Sequence, residues 1–193
     1  GVGSGSSQTI QIPASIALGN NAGNTNQGFN AVAIGLYAGN TNQQQSAIAI
    51  GLNAGQSQQN SYSVAIGLNA GQNTQGSNAI SIGYFSGRTN QQSSAIAIGY
   101  LAGTSTQGTN SVAIGNTTAA TGQQSGAIAI GYLAGAYGAT AGSTQGQGIN
   151  AIAIGTNVGQ TNQGTNSVLI GNNINSTFSD SIIISTSTIN ASN

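Results

Sequence analysis

One glycine recurs with a period that few folds can accommodate. It closes an Ala-Ile-Ala-Ile-type stretch and stands at Gly19, Gly35, Gly51, Gly67, Gly83, Gly99, Gly115 and Gly131, each 16 residues after the last. A step of 24 residues leads to Gly155, and the step to Gly171 is 16 again. A repeat of this length is a supersecondary unit that buries its apolar side only by stacking on its neighbours. The 193 residues are therefore expected to form one elongated domain rather than two globular ones.

With that glycine as position 0, positions −3 and −1 are Ile, Val or Leu in every copy, from Ile16 and Leu18 to Val168 and Ile170. Positions −4 and −2 are Ala or Ser, with Leu169 the exception. Alternation with period 2 describes a short strand with large residues on one face and small ones on the other. The large residues are expected to point into the coil. After most strands comes Gly-x-x-Ala-Gly, a spacing suited to a tight corner that needs positive φ or close backbone approach. The small residue at +3 is expected inside that corner, and at least one of +1 and +2 outside it.

A polar run then returns the chain. Position +6 is mostly Thr or Ser. Position +8 is glutamine throughout: Gln27, Gln43, Gln59, Gln75, Gln91, Gln107, Gln123, Gln163, and Gln147 in the lengthened coil. Equal positions of stacked parallel coils lie ~4.7–4.9 Å apart. A glutamine column at that spacing reads as a structural ladder of amides bonded along the stack. A ligand-binding role for the same glutamines is the alternative. The pattern as a whole predicts an all-β parallel β-solenoid with one 16-residue coil per repeat. Ten such coils would make a rod on the order of 50 Å long.

The ends depart from the pattern. Residues 1–14 read as a lead-in and an N-terminal cap, with a short alternating stretch at 9–12 stopped by Pro13. Residues 15–175 are the repeat domain, and its eight extra residues fall near 136–143, where a loop on one face is expected. Residues 176–193 read as a C-terminal cap and tail, atypical as terminal repeats are. Uncapped end coils would invite end-to-end assembly. The chain has no Met, which is expected of a processed product or of a piece of something longer.

Composition excludes whole classes of function. Arg88 and Asp180 are the sole charged side chains, and there is no His, Cys, Lys or Glu. General acid–base chemistry and an activated nucleophile both need a titratable partner that this inventory lacks. We therefore expect no enzyme, no catalytic residues and no cofactor. No metal site is expected either, since imidazole, thiolate and paired carboxylates are missing. One arginine does not neutralise a phosphate backbone, so no nucleic-acid partner is expected. No apolar run approaches the ~20 residues of a membrane-spanning helix, so this segment is not expected to insert. Asn116, Asn175 and Asn190 open Asn-x-Ser/Thr sequons, which chance explains in so polar a chain.

The motif Ser63-Val-Ala-Ile-Gly67, repeated as Ser111-Val-Ala-Ile-Gly115 after Asn110, resembles the head repeat of trimeric autotransporter adhesins, the YadA-like heads. The resemblance extends over residues 15–172. It implies a left-handed parallel β-roll, three chains about one axis, and a stiff adhesive surface fibre. Related repeats also look at home in fibre proteins of phages and large DNA viruses.

Independently of that resemblance, the continuous strip of Ala and Ser would let a second solenoid approach closely, so a homo-oligomer is expected, a trimer foremost. The alternative is that Ala and Ser merely line a solvated face. The expected role is a non-catalytic structural or adhesive segment of an extracellular fibre on a cell or virion surface. Tyr84, Phe85 and Tyr100, at +1 and +2 of adjacent coils, are candidates for contacting a glycan or another surface receptor, although packing would explain them too. The competing class is an ice-binding solenoid, with the Thr/Ser column at +6 as a regularly spaced hydroxyl array.

Overall fold

The computed structural model describes residues 14–136, 146–186 and 188–191. Among them the chain winds as a parallel β-solenoid of about ten turns. One sheet of eleven parallel strands runs the length of the stack, from Ile16–Leu18 to Ile182–Ser185. Its register is that of the repeat, Ile16 opposite Val32 and Ile48 opposite Val64, and Ile128 opposite Ile152 across the lengthened coil. A second sheet of six strands, from Thr41–Gln43 to Thr121–Gln123, forms the polar side. A pair of strands, Ile174–Ser176 and Ile189–Ala191, follows at the C-terminal end. The expected cap at 9–13 and most of the 136–143 insertion lie outside the described residues, as does the residue at 187.

The expected orientation of the long-sheet strands is reversed. In all but the two end strands the middle residue is buried and its two large neighbours are half-exposed, as in Ile48–Ile50 and Ile96–Ile98; in the end strands those neighbours are exposed. Ala49, Ala65 and Ala97 are wholly buried, and so are Ala or Ser at −4, such as Ala47 and Ser111. The Ala/Ser strip is therefore the lining of the coil and not a surface on which another chain could sit. Isoleucine and valine form the outside.

The narrow bore accounts for the reversal. Four positions per coil point inward: −4, −2, +3 and +8. They hold two Ala or Ser residues, a further small residue and one glutamine in most coils. A Cβ built on Gly55, at +4, would lie 2.6 Å from Gln59 Oε1 and 3.3 Å from the Ala49 Cβ. The two walls thus already touch through Ala, Gly and a flat amide, and no space remains for two branched side chains per turn. Overfilling a packed interior forces off-rotamer side chains and backbone shifts, so the branched residues are accommodated only outside.

Sixteen residues close one turn because the backbone bends at fixed positions. Positions +2, +7 and +11 adopt left-handed φ in nearly every coil, for example Asn53 at 55°, Gln58 at 55° and Tyr62 at 63°. Asn tolerates this region better than other side chains with a Cβ, and it occupies many of these sites. Position 0 has φ near 130°, and a Cβ on Gly35 would lie 2.6 Å from the Gly51 carbonyl oxygen. Within the stack only glycine fits that column, and Ser185 takes the place in the last turn.

At the C-terminal end the filling changes. Val158 and Ile174 take the +3 position, Leu169 takes −2, and the partly buried Ile183 packs against them. The last coil is also shorter, with Ser185 aligned to Gly171. The apolar plug replaces the Ala-and-amide interior in the last turns, beneath the strands Ile182–Ser185 and Ile189–Ala191.

Candidate binding surfaces

The glutamines at +8 are all buried. Gln43 Nε2 donates to the Val32 carbonyl at 2.8 Å, across the bore in its own coil, and to Gln59 Oε1 in the next coil at 3.1 Å. The same pair of bonds recurs at Gln27, Gln59, Gln75 and Gln91. Each amide therefore staples one sheet to the other and links successive turns. Enclosed in this way, these side chains are unavailable to a ligand. Among the described residues Gln123 Oε1 and Gln163 Oε1 are buried without a donor, so the column is interrupted after Gln107 and after Gln147. At the first break Ala119 stands where other coils have glycine, with φ 44°. A Cβ on the glycines at +4 would meet their own glutamines, as at Gly103 and Gln107, and Ala119 carries such a Cβ.

The outer face of the long sheet carries two continuous aliphatic columns, at −3 and −1. Side chains within a column shield one another, so exposure is greatest at the ends, where Ile16 is 52% and Ile182 75% accessible. A third column at +1 borders them, with Leu36, Leu52, Tyr84, Tyr100 and Tyr132 all exposed. The flat apolar surface is on the order of 50 Å long and roughly 600 Å² or more in area, at or above the largest patches that monomers usually expose.

Tyr84, Phe85 and Tyr100 are brought together as their spacing implies. The rings of Tyr84 and Tyr100 stack at 5.2 Å with 5° between their planes, and Phe85 tilts against Tyr84 at 4.4 Å. Arg88 lies 4.9 Å above the Phe85 ring and donates through Nε to Gln72 Oε1. Tyr84 and Tyr100 thus each give one face to the other ring and Phe85 carries the guanidinium, while both tyrosines stay exposed. Phe85 also sits at a left-handed corner, with φ 55°.

Sequence reasoning missed a furrow at the corner between the polar sheet and the long sheet. Near the N-terminal end it encloses about 710 Å³ and is lined by Asn26, Asn42, Gln44, Gln45, Gln58 and Asn60, among others. Smaller hollows of about 310 and 280 Å³ repeat it further along, at the same coil positions: Thr106, Gln124 and Ser125, then Asn162, Gly164 and Thr165. Its walls are positions +7 and +9 to +10. The signal was present in the sequence as amide and hydroxyl residues flanking the invariant glutamine, but spacing alone did not reveal that the corner is concave. Its walls are organised by bonds between coils: Asn26 Nδ2 to Asn42 Oδ1 at 2.9 Å, Ser61 Oγ to Gln44 Oε1 at 3.2 Å, and Thr74 Oγ1 to Gln58 Oε1 at 3.1 Å.

No protein-family model matches the chain, and no curated protein or solved structure matches it.

Proposed function

We propose that this chain is a non-catalytic structural and adhesive segment of an extracellular fibre, on a cell or virion surface, built by association of several copies through their long sheets. The observation that carries the reading is the outward aliphatic face. Two unbroken columns of Ile and Val on a flat, uncharged strip are costly to leave in water, at roughly 25 cal/mol per Å² of apolar surface. A second copy offers the same columns at the same spacing and brings no charge to desolvate. With the bordering Leu and Tyr column, the strip approaches the ~800 Å² per partner of a standard interface. The resemblance to YadA-like heads favours three copies around one axis. The association face is thus the one opposite to the Ala/Ser strip.

Light scattering at micromolar concentration tests this. The expected mass is a small multiple of the 18.8 kDa chain, three-fold for a trimer. Ile82→Lys combined with Ile98→Lys, both on the outer face, should return the monomer mass with the β circular dichroism spectrum retained. A wild-type chain that stays monomeric at tens of micromolar would remove the assembly reading. Adhesion is read separately, from binding of protein-coated beads to immobilised glycans and matrix proteins.

A second reading rests on one observation. Thr25, Thr41, Ser57, Thr89, Ser105 and Thr121 stand in register on the polar sheet, as an ice-binding array would require. Asn73 interrupts the hydroxyl column. A thermal-hysteresis measurement with no ice shaping disposes of it.

A further inference from the structure

We infer that the furrow beside the glutamine column is a binding groove for a linear, neutral polysaccharide lying along the fibre axis; this deepens the adhesive reading and rests on it. Three features of the furrow point to that ligand class. First, neither charged side chain of the protein lines it, and its walls are amides, hydroxyls and glycine backbone, with Ile149 the one apolar side chain. Phosphates, sulfates and carboxylates would find no counter-charge there, whereas amides both donate and accept, as the hydroxyls of a sugar do. Second, the same amide and hydroxyl chemistry returns in most turns of the stack, ~4.8 Å apart, with Phe29 and Ile149 the apolar exceptions at +10. A ligand that uses several turns must itself be a repeating polymer with polar groups at a comparable step. Third, the groove runs across the strands and not beside a free strand edge. An extended peptide lying in it could not form a backbone ladder with the sheet, so its main chain would gain little. A polysaccharide needs no ladder.

Capacity to bind remains in the groove. The side-chain amides of Gln45 and Asn60 line its N-terminal part and have no partner among the described residues. Asn42 Oδ1 accepts from Asn26, and its own amide nitrogen makes no bond among the described residues. The aliphatic face shares no residue with the groove, so association through that face takes none of these groups.

The test is affinity electrophoresis of the full chain in native gels cast with hydroxyethylcellulose, glucomannan or dextran, followed by calorimetry with cellohexaose and chitohexaose. Retardation by at least one of the extended β-linked polymers is expected, and it should persist in 1 M sodium chloride, because no ion pair is involved. Two double variants probe the site. Gln45→Phe with Ser61→Phe fills the groove at +10, a position that already carries the exposed Phe29 in the first coil. Gln45→Ala with Asn60→Ala removes the two unpartnered amides. Each should weaken binding at least ten-fold while leaving the circular dichroism spectrum and the assembled mass unchanged. Absence of binding to every neutral polymer overturns the inference, as does binding that both variants leave intact. Adhesion to matrix proteins in the absence of glycan binding would keep the adhesive reading and remove the groove. Loss of assembly with glycan binding retained would do the reverse to the fibre reading.

Discussion

At the scale of single residues, this fold depends on backbone conformations that most side chains avoid. Glycine at 0 and +4 and asparagine at +2, +7 or +11 recur because those sites bend the chain. Ala119 is informative because it breaks the rule. It has φ 44° in a column of glycines, and beside it Gln123 Oε1 is buried without a donor among the described residues. Ala119→Gly relieves a left-handed alanine, worth roughly 1 kcal/mol. It also lets Gln107 reach Gln123, for a further ~1 kcal/mol, against the extra chain entropy of glycine, about 0.5–1 kcal/mol. A net gain of about 1 kcal/mol is expected, visible as a rise of roughly 2–4 °C in melting temperature. A fall would show that the broken ladder has another cause. In the opposite direction, Gly67→Ala places a Cβ 2.5 Å from the Gly83 carbonyl oxygen at φ 127°. A loss of about 3 kcal/mol or more is expected in urea unfolding. These glycines were legible in the sequence by period alone.

At the scale of the coil, strand existence and register followed directly from the alternation at −4 to −1. Which face is inside did not follow. Period 2 separates two faces without naming the buried one, and the usual preference for buried Ile pointed the wrong way. The deciding quantity is the width of the bore, which depends on how closely the two sheets approach. The clue lay in the other inward positions, since Ala38, Gly39 and Gln43 leave no volume for Ile34. The amide furrow was missed for a related reason: concavity arises from the left-handed bend at +7, which a run of polar residues does not announce. Within a coil, the glutamine carries the connection between sheets. Gln75 Nε2 donates to the Val64 carbonyl at 2.8 Å and to Gln91 Oε1 at 3.2 Å, and it also reaches Ser81 Oγ. Gln75→Leu keeps most of the volume but removes the side-chain donor to the Val64 carbonyl, at about 1–3 kcal/mol, while Gln91 Oε1 keeps the Ser81 hydroxyl. Equilibrium urea unfolding should show a loss in that range, and a neutral result would mean that the amides fill space without holding the walls.

At the scale of the whole molecule, stability is a sum over turns and their interfaces. Removing residues 52–67 joins Gly51 to Leu68 and keeps every column in phase. That shortened chain is expected to fold with an unchanged type of spectrum, whereas removing only 52–59 would set polar and aliphatic columns against each other and should prevent folding. The sum for one chain is small, because an interior of Ala, Ser and Gln releases little apolar surface from water, while the Ile and Val columns remain half-exposed. Association through those columns would therefore supply much of the stability. Binding that favours the folded state makes the melting temperature depend on protein concentration. The melting temperature of the wild type is expected to rise by several degrees from one to one hundred micromolar, and that of the Ile82→Lys, Ile98→Lys variant to stay flat. With almost no charge at the interface, neither curve should move between 0.05 and 0.5 M sodium chloride. A concentration-independent wild-type melt would mean that one chain's narrow core suffices, and the outward aliphatic face would then require another explanation.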